Sequence, residues 1–244
     1  MSNPILNDER FSPQDRVLDG EPMTIQGTVN KILMLFVCLL AGAGISLYFL
    51  FNNQGAIVPP MMAGSAIIAF ILVLITCFNI SRAKYLAPPY ALFEGIVLGG
   101  VSALFEHAIQ GIVLQAIALT FTTLVVMLLL YKAKVIQYTD KLRSVLFTAI
   151  LSIGAIYLVE IIVSLFGRSI PGLFDNGPVG IIFSLIVVGV AALSLIQDFY
   201  FIESASERML PKDYEWYGAM GLMITLVWLY MEILRLLAKL NSRR

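Results

Sequence analysis

Four acids set inside apolar sequence are the residues through which this chain could do chemistry. Asp198 sits in Leu195-Ile196-Gln197-Asp198-Phe199-Tyr200, and Glu94 adjoins Gly95-Ile96-Val97-Leu98-Gly99. Glu160 and Glu232 are the other two, and Arg235 follows Glu232 at i,i+3, close enough on a helix for contact. An ionisable group at membrane depth costs about 3 kcal/mol on insertion scales, so it usually lines an ion path, relays a proton or completes a buried pair. Carboxylates are also the hard oxygen ligands that calcium prefers. Each acid has a plainer reading beside this one. Glu232 with Arg235 reads equally as a structural pair, and Glu160 could snorkel to the surface. Asp198 is the hardest to dismiss, because its side chain is too short to snorkel well. Glu203, Glu207 and Glu215 read as solvated loop acids.

Other chemistries lack their residues. The only histidine is His107, which excludes a His-rich metal centre. Glu106-His107 reads as an isolated dipeptide in a short loop. No HExxH, P-loop or GxSxG pattern occurs, and no Ser-His-Asp arrangement suggests itself. Intramembrane proteolysis would want two facing aspartates, and only Asp198 lies well inside an apolar run. The chain therefore reads as a non-enzyme. Cys38 and Cys77 both lie in apolar sequence and suggest no disulfide framework. Formal net charge is +0, which gives no reason to expect a nucleic-acid partner.

The elements that must hold these acids are membrane helices. The 244 residues are 59% hydrophobic and 13% charged, with mean hydropathy +0.88, where soluble domains carry about a quarter charged residues. Seven apolar runs each match the ~30 Å hydrocarbon core of a bilayer. The expected spans are 32–51, 60–80, 88–104, 111–131, 145–166, 178–202 and 216–237, three of them opening on Pro60, Pro88 and Pro178. The fold class is thus an all-α membrane protein of seven transmembrane helices. Residues 1–30 read as a disordered cytoplasmic tail, 31–240 as the membrane domain and 241–244 as a basic end. Between the spans, the loops on one side hold most Lys and Arg, whereas Arg168 is alone on the other. The positive-inside rule then puts the N-terminus in the cytoplasm. The basic C-terminus conflicts with that rule unless the last segment is re-entrant; its length favours a full crossing.

With that orientation Glu94 and Asp198 fall in an inner layer that Arg82 can reach, and Glu160 and Glu232 in an outer one. The pattern Gly95-x-x-x-Gly99 permits close helix approach and suggests that Glu94 faces protein.

Several stretches together resemble the Bax inhibitor (transmembrane Bax inhibitor motif) family, most closely its bacterial branch. They are Tyr90-Ala91-Leu92-Phe93-Glu94-Gly95, Gln197-Asp198-Phe199 with Phe201-Ile202-Glu203, and Glu215-Trp216-Tyr217-Gly218-Ala219 leading into Glu232-Ile233-Leu234-Arg235. The correspondence runs from Met23-Thr24-Ile25-Gln26-Gly27-Thr28 to Lys239. The resemblance implies six helices around a central seventh, in a bacterial inner membrane. It implies a pH-sensitive calcium leak channel in which two aspartates share a proton and an arginine latch holds the path closed. Calcium is then cargo, transiently held at Asp198, and no resident cofactor is implied. Asp198 matches the first aspartate. The second position falls at Thr225, which cannot titrate, and Arg82 stands about one turn beyond the latch position. Some bacterial relatives are instead regarded as non-conducting modulators of a membrane-anchored protease, engaged through a cytoplasmic tail.

Overall fold

A computed structural model describes residues 21–242 apart from 53, 169 and 171. Most of the expected tail and the terminal Arg243 and Arg244 lie outside the described residues. The helices are α1 Ile25–Phe51, α2 Val58–Phe78, α3 Ala83–Ala108, α4 Ile112–Lys132, α5 Asp140–Leu165, α6 Pro178–Glu207 and α7 Asp213–Asn241. With the short 3-10 turns joined to α2 and α3, all seven are long and apolar enough to cross a membrane. The chain is a multi-pass, all-helical membrane protein.

The helices outrun the apolar sequence, and local chemistry explains where they begin. The expected tail reached residue 30, but α1 starts at Ile25 because Thr24 caps it, its hydroxyl accepting from the Gly27 amide at 2.9 Å. Thr139 caps α5 in the same way through the Leu142 amide at 3.3 Å. The third span was expected to open on Pro88. Instead Pro88 and Pro89 lie in the second turn of α3, which begins at Ala83. Their rings remove two intrahelical N–H donors close to the helix start, where the loss is least disruptive. Glu106 and His107 are not in a loop but in the last turn of α3. Gly111, at φ +81°, turns the chain into α4, and the Glu106 carboxylate caps that helix. It accepts from the amides of Gly111 at 2.6 Å and Val113 at 3.1 Å.

Contacts divide the chain into two compact units. The first comprises Met1–Gly100 with Tyr200–Met223, the second Val101–Phe199 with Ile224–Arg244. In the first, Ala83, Ala87 and Ala91 are fully buried, and Gly95 and Gly99 continue their i,i+4 stripe along α3. Backbone meets backbone there. A Cβ on Gly95 would lie 2.0 Å from the Leu39 carbonyl oxygen, and one on Gly99 2.7 Å from Ala43 Cα. Gly42 of α1 answers from the other side, where a Cβ would meet the Leu92 oxygen at 2.0 Å. The Ser46 hydroxyl adds a hydrogen bond to the Ile96 oxygen at 2.6 Å. Small residues at such a contact let van der Waals packing replace the hydrophobic effect, which lipid cannot supply. The opposite face of α1 shows Leu33, Val37 and Leu40, each exposed by 60% or more, as a lipid-facing surface would.

In the second unit, Val187, Ala191 and Leu195 form a fully buried stripe on α6, and Leu229 and Leu234 do the same on α7. Ser102 and Tyr230 share a 2.7 Å hydrogen bond. The rings of Tyr157, Phe174 and Phe183 pack with centroids 5.8 to 6.3 Å apart, the tilted and edge-on arrangements that aromatic quadrupoles favour.

Candidate functional site

The buried α6 stripe ends one turn before Asp198, and this periodicity carries the acid inward. Asp198 is partly buried, but its Oδ2 is enclosed and has no hydrogen-bond partner among the described residues. Thr225, a buried residue of α7, hydrogen-bonds to the Asp198 carboxyl group. The position aligned with a second family aspartate is therefore where Asp198 finds its neighbour, with a hydroxyl in place of a carboxyl group. A hydroxyl can donate to a carboxylate but cannot share a titrating proton with it at neutral pH. Among the described residues, no three His, Cys, Asp or Glu side chains gather as a metal-holding group. A cation passing Asp198 would have to complete its shell from carbonyls, hydroxyls and water.

Glu94 belongs to the first unit and Asp198 to the second. Glu94 is partly buried on α3, one turn after the buried Tyr90. Arg82 is exposed in the 3-10 turn Ile80–Arg82, and no salt bridge to it forms among the described residues.

The remaining two acids have structural partners in the second unit. Glu160 accepts from the Ile170 amide at 3.0 Å and so ties down the segment that follows α5. Glu232 is 2% exposed and accepts from the Tyr157 hydroxyl at 2.9 Å and from Arg235 at 3.1 Å. Its Oε2 is buried without a hydrogen-bond partner among the described residues. The Arg235 guanidinium also lies 5.2 Å from the Tyr157 ring centre, within cation–π range. Tyr157 and Glu160 share α5 at i,i+3, so Glu232 meets that helix about one turn from Glu160.

Two polar centres were not legible as such in the sequence. Glu215, expected as a solvated loop acid, is 1% exposed. It accepts from the amide and hydroxyl of Thr24, both at 3.0 Å, and from the Lys31 ammonium at 2.5 Å. Gly27 makes room for it, since a Cβ there would lie 2.1 Å from Glu215 Oε1. The second is Lys239, two residues past the last expected span, which is buried and hydrogen-bonded within the second unit.

The sequence matches the family described as Bax inhibitor 1 like over residues 3–242. The chain belongs to that family. No curated protein matches it.

Proposed function

We propose that the chain is a cation leak pathway of a bacterial inner membrane, carrying calcium, with Asp198 at the constriction and the N-terminus in the cytoplasm. The observation that carries this reading is the Asp198 carboxyl group, enclosed between two membrane helices with one oxygen unpaired among the described residues. Such an oxygen is suited to a passing cation or a proton and contributes nothing to packing. Family membership supports the reading, and the distribution of Lys and Arg between the loops supports the orientation. Thr225 replaces proton sharing with a fixed hydrogen bond. Protein reconstituted in liposomes loaded with a calcium dye is expected to give flux between about pH 6 and 8. Asp198→Asn is expected to change that flux or its pH dependence. No protein-dependent flux at any pH in the range would overturn the reading.

A second reading is a non-conducting modulator of a membrane-anchored protease. The anchoring of Pro22 and Met23 favours it. Pro22 forms an antiparallel bridge with Pro211, and the Met23 amide donates to the Leu210 oxygen at 2.8 Å. Deletion of residues 1–23 would abolish modulation and leave any flux intact; a co-purification recovering no partner would count against this reading.

A further inference from the structure

Within the second unit a cavity of about 280 Å³ opens where α3, α5 and α7 end and α6 begins. Phe105, Tyr157, Phe174 and Phe183 give it an aromatic wall, and Arg235 and Lys239 bring two positive charges to it. The two cations are not equivalent. Arg235 is paired with Glu232 at 3.1 Å. Lys239 is 8% exposed, and among the described residues its ammonium donates to neutral oxygens. These are Ser184 Oγ at 2.9 Å and the carbonyls of Gly180 at 3.0 Å and Leu173 at 3.3 Å. Asp175, the nearby loop acid, accepts from the Gly172 amide at 2.8 Å, and no salt bridge to Lys239 forms among the described residues.

Three neutral acceptors satisfy the ammonium's hydrogen bonds, while the carboxylates of Glu232 and Asp175 act on its charge from beyond salt-bridge distance and leave it without a direct ion-pair partner among the described residues. In a low-dielectric site that is costly, and an anion beside the ammonium would offset the cost. The volume is at the small end for ligand pockets, enough for one headgroup and too little for a large organic molecule. Arg235 and Lys239 suit a tetrahedral oxyanion, to which guanidinium and ammonium both bond strongly. Asn176, exposed at the cavity, adds an amide donor. Basic pockets between membrane helices hold lipid headgroups elsewhere by the same electrostatics.

We propose that this cavity binds a phosphate group, carried on an anionic phospholipid headgroup or free in solution, with Lys239 as its principal charge partner. The aromatic wall then meets the glycerol end of a lipid, or simply lines the pocket around a free ion. The proposal concerns binding, so its outcome is independent of whether the protein conducts.

The test uses the full chain, purified in detergent and stripped of lipid. Native mass spectrometry counts retained lipid after titration with phosphatidylglycerol or phosphatidylcholine, and thermal unfolding is followed with inorganic phosphate. Wild type is expected to prefer phosphatidylglycerol by ~10-fold, and Lys239→Met to lose that preference. If inorganic phosphate raises the unfolding temperature of wild type but not of Lys239→Met, and lipid shows no preference, the phosphate site stands with a soluble ligand. Should Lys239→Met not fold, Asn176→Asp places a repelling charge at the mouth from an exposed loop and is expected to weaken either probe. Equal behaviour of wild type and the folded variants toward both probes would overturn the proposal.

Discussion

Glu215 at the start of α7 holds Lys31 of α1 in a 2.5 Å ion pair, with the two residues 184 positions apart in sequence. Glu215 is 1% exposed and Lys31 19%, so the pair is largely shielded from water. Removing one partner strands the other charge. Lys31→Met is expected to destabilise the protein by about 3 kcal/mol, and Lys31→Met with Glu215→Leu by clearly less. Thermal unfolding of both in one detergent checks this. Equal losses would show that the contact contributes through packing alone.

The seam between α1 and α3 makes a second prediction. A methyl group on Gly95 would meet the backbone oxygen of Leu39 at 2.0 Å, which only a shift of the helices can relieve. Gly95→Ala is expected to cost about 2 kcal/mol by overpacking. Gly44, two residues from Gly42 on the exposed face of α1, has nothing within 4 Å of its would-be Cβ. Gly44→Ala is therefore expected to be neutral, or stabilising by up to about 1 kcal/mol through helix propensity.

Beside the α6–α7 turn, Glu21 pairs with Lys212. The Lys212 ammonium holds the Glu21 carboxyl below its ordinary 4.5, and Glu21 raises Lys212 above its ordinary 10.5. The carboxylate's contribution is complete above 4.5 and is lost as pH falls through the lowered value; the ammonium's is complete below 10.5 and is lost as pH rises through the raised one. Amide exchange at Met23, corrected for intrinsic rate, should therefore quicken on acidification below 4.5. Glu21→Gln should remove that pH dependence, and high salt should flatten it. An unchanged acid limb in Glu21→Gln would assign the opening to another group.

Thr225 offers a gain-of-function test. Thr225→Asp would set a second carboxyl group against Asp198, and two adjacent carboxylates titrate as a coupled pair. In the liposome assay the variant is expected to show one titration step more than wild type. Superimposable pH profiles would separate Thr225 from the ion path.

The apolar runs were legible because each is long enough to span a bilayer, and composition alone demands that. The helix ends were not. α3 runs through Pro88 and Pro89, and α5 begins at Asp140 behind a threonine cap, because capping and tertiary contact outweigh local breakers there. Asp198 announced itself as a short acid in apolar sequence; Thr225 was marked only by the family resemblance, as a departed position, and its hydrogen bond to Asp198 was not legible, since a threonine in a membrane helix carries no signal of its own. Glu215 was misread because an acid beside a turn usually meets water. A glycine at position 27, in the first turn of a membrane helix behind a capping threonine, was the available sign that a bulky group needed room. Lys239 gave no such sign. Only the folding of the segment around Leu173 and Gly180 against it shows that this charge has left the solvent.

The bond between Lys31 and Glu215 also sets a timetable for biogenesis. Lys31 leaves the ribosome roughly 10–40 s before Glu215 at ordinary elongation rates. Throughout that interval Lys31 lacks this partner, and the bond that ties the first helix to the last closes only after most of the chain has been made.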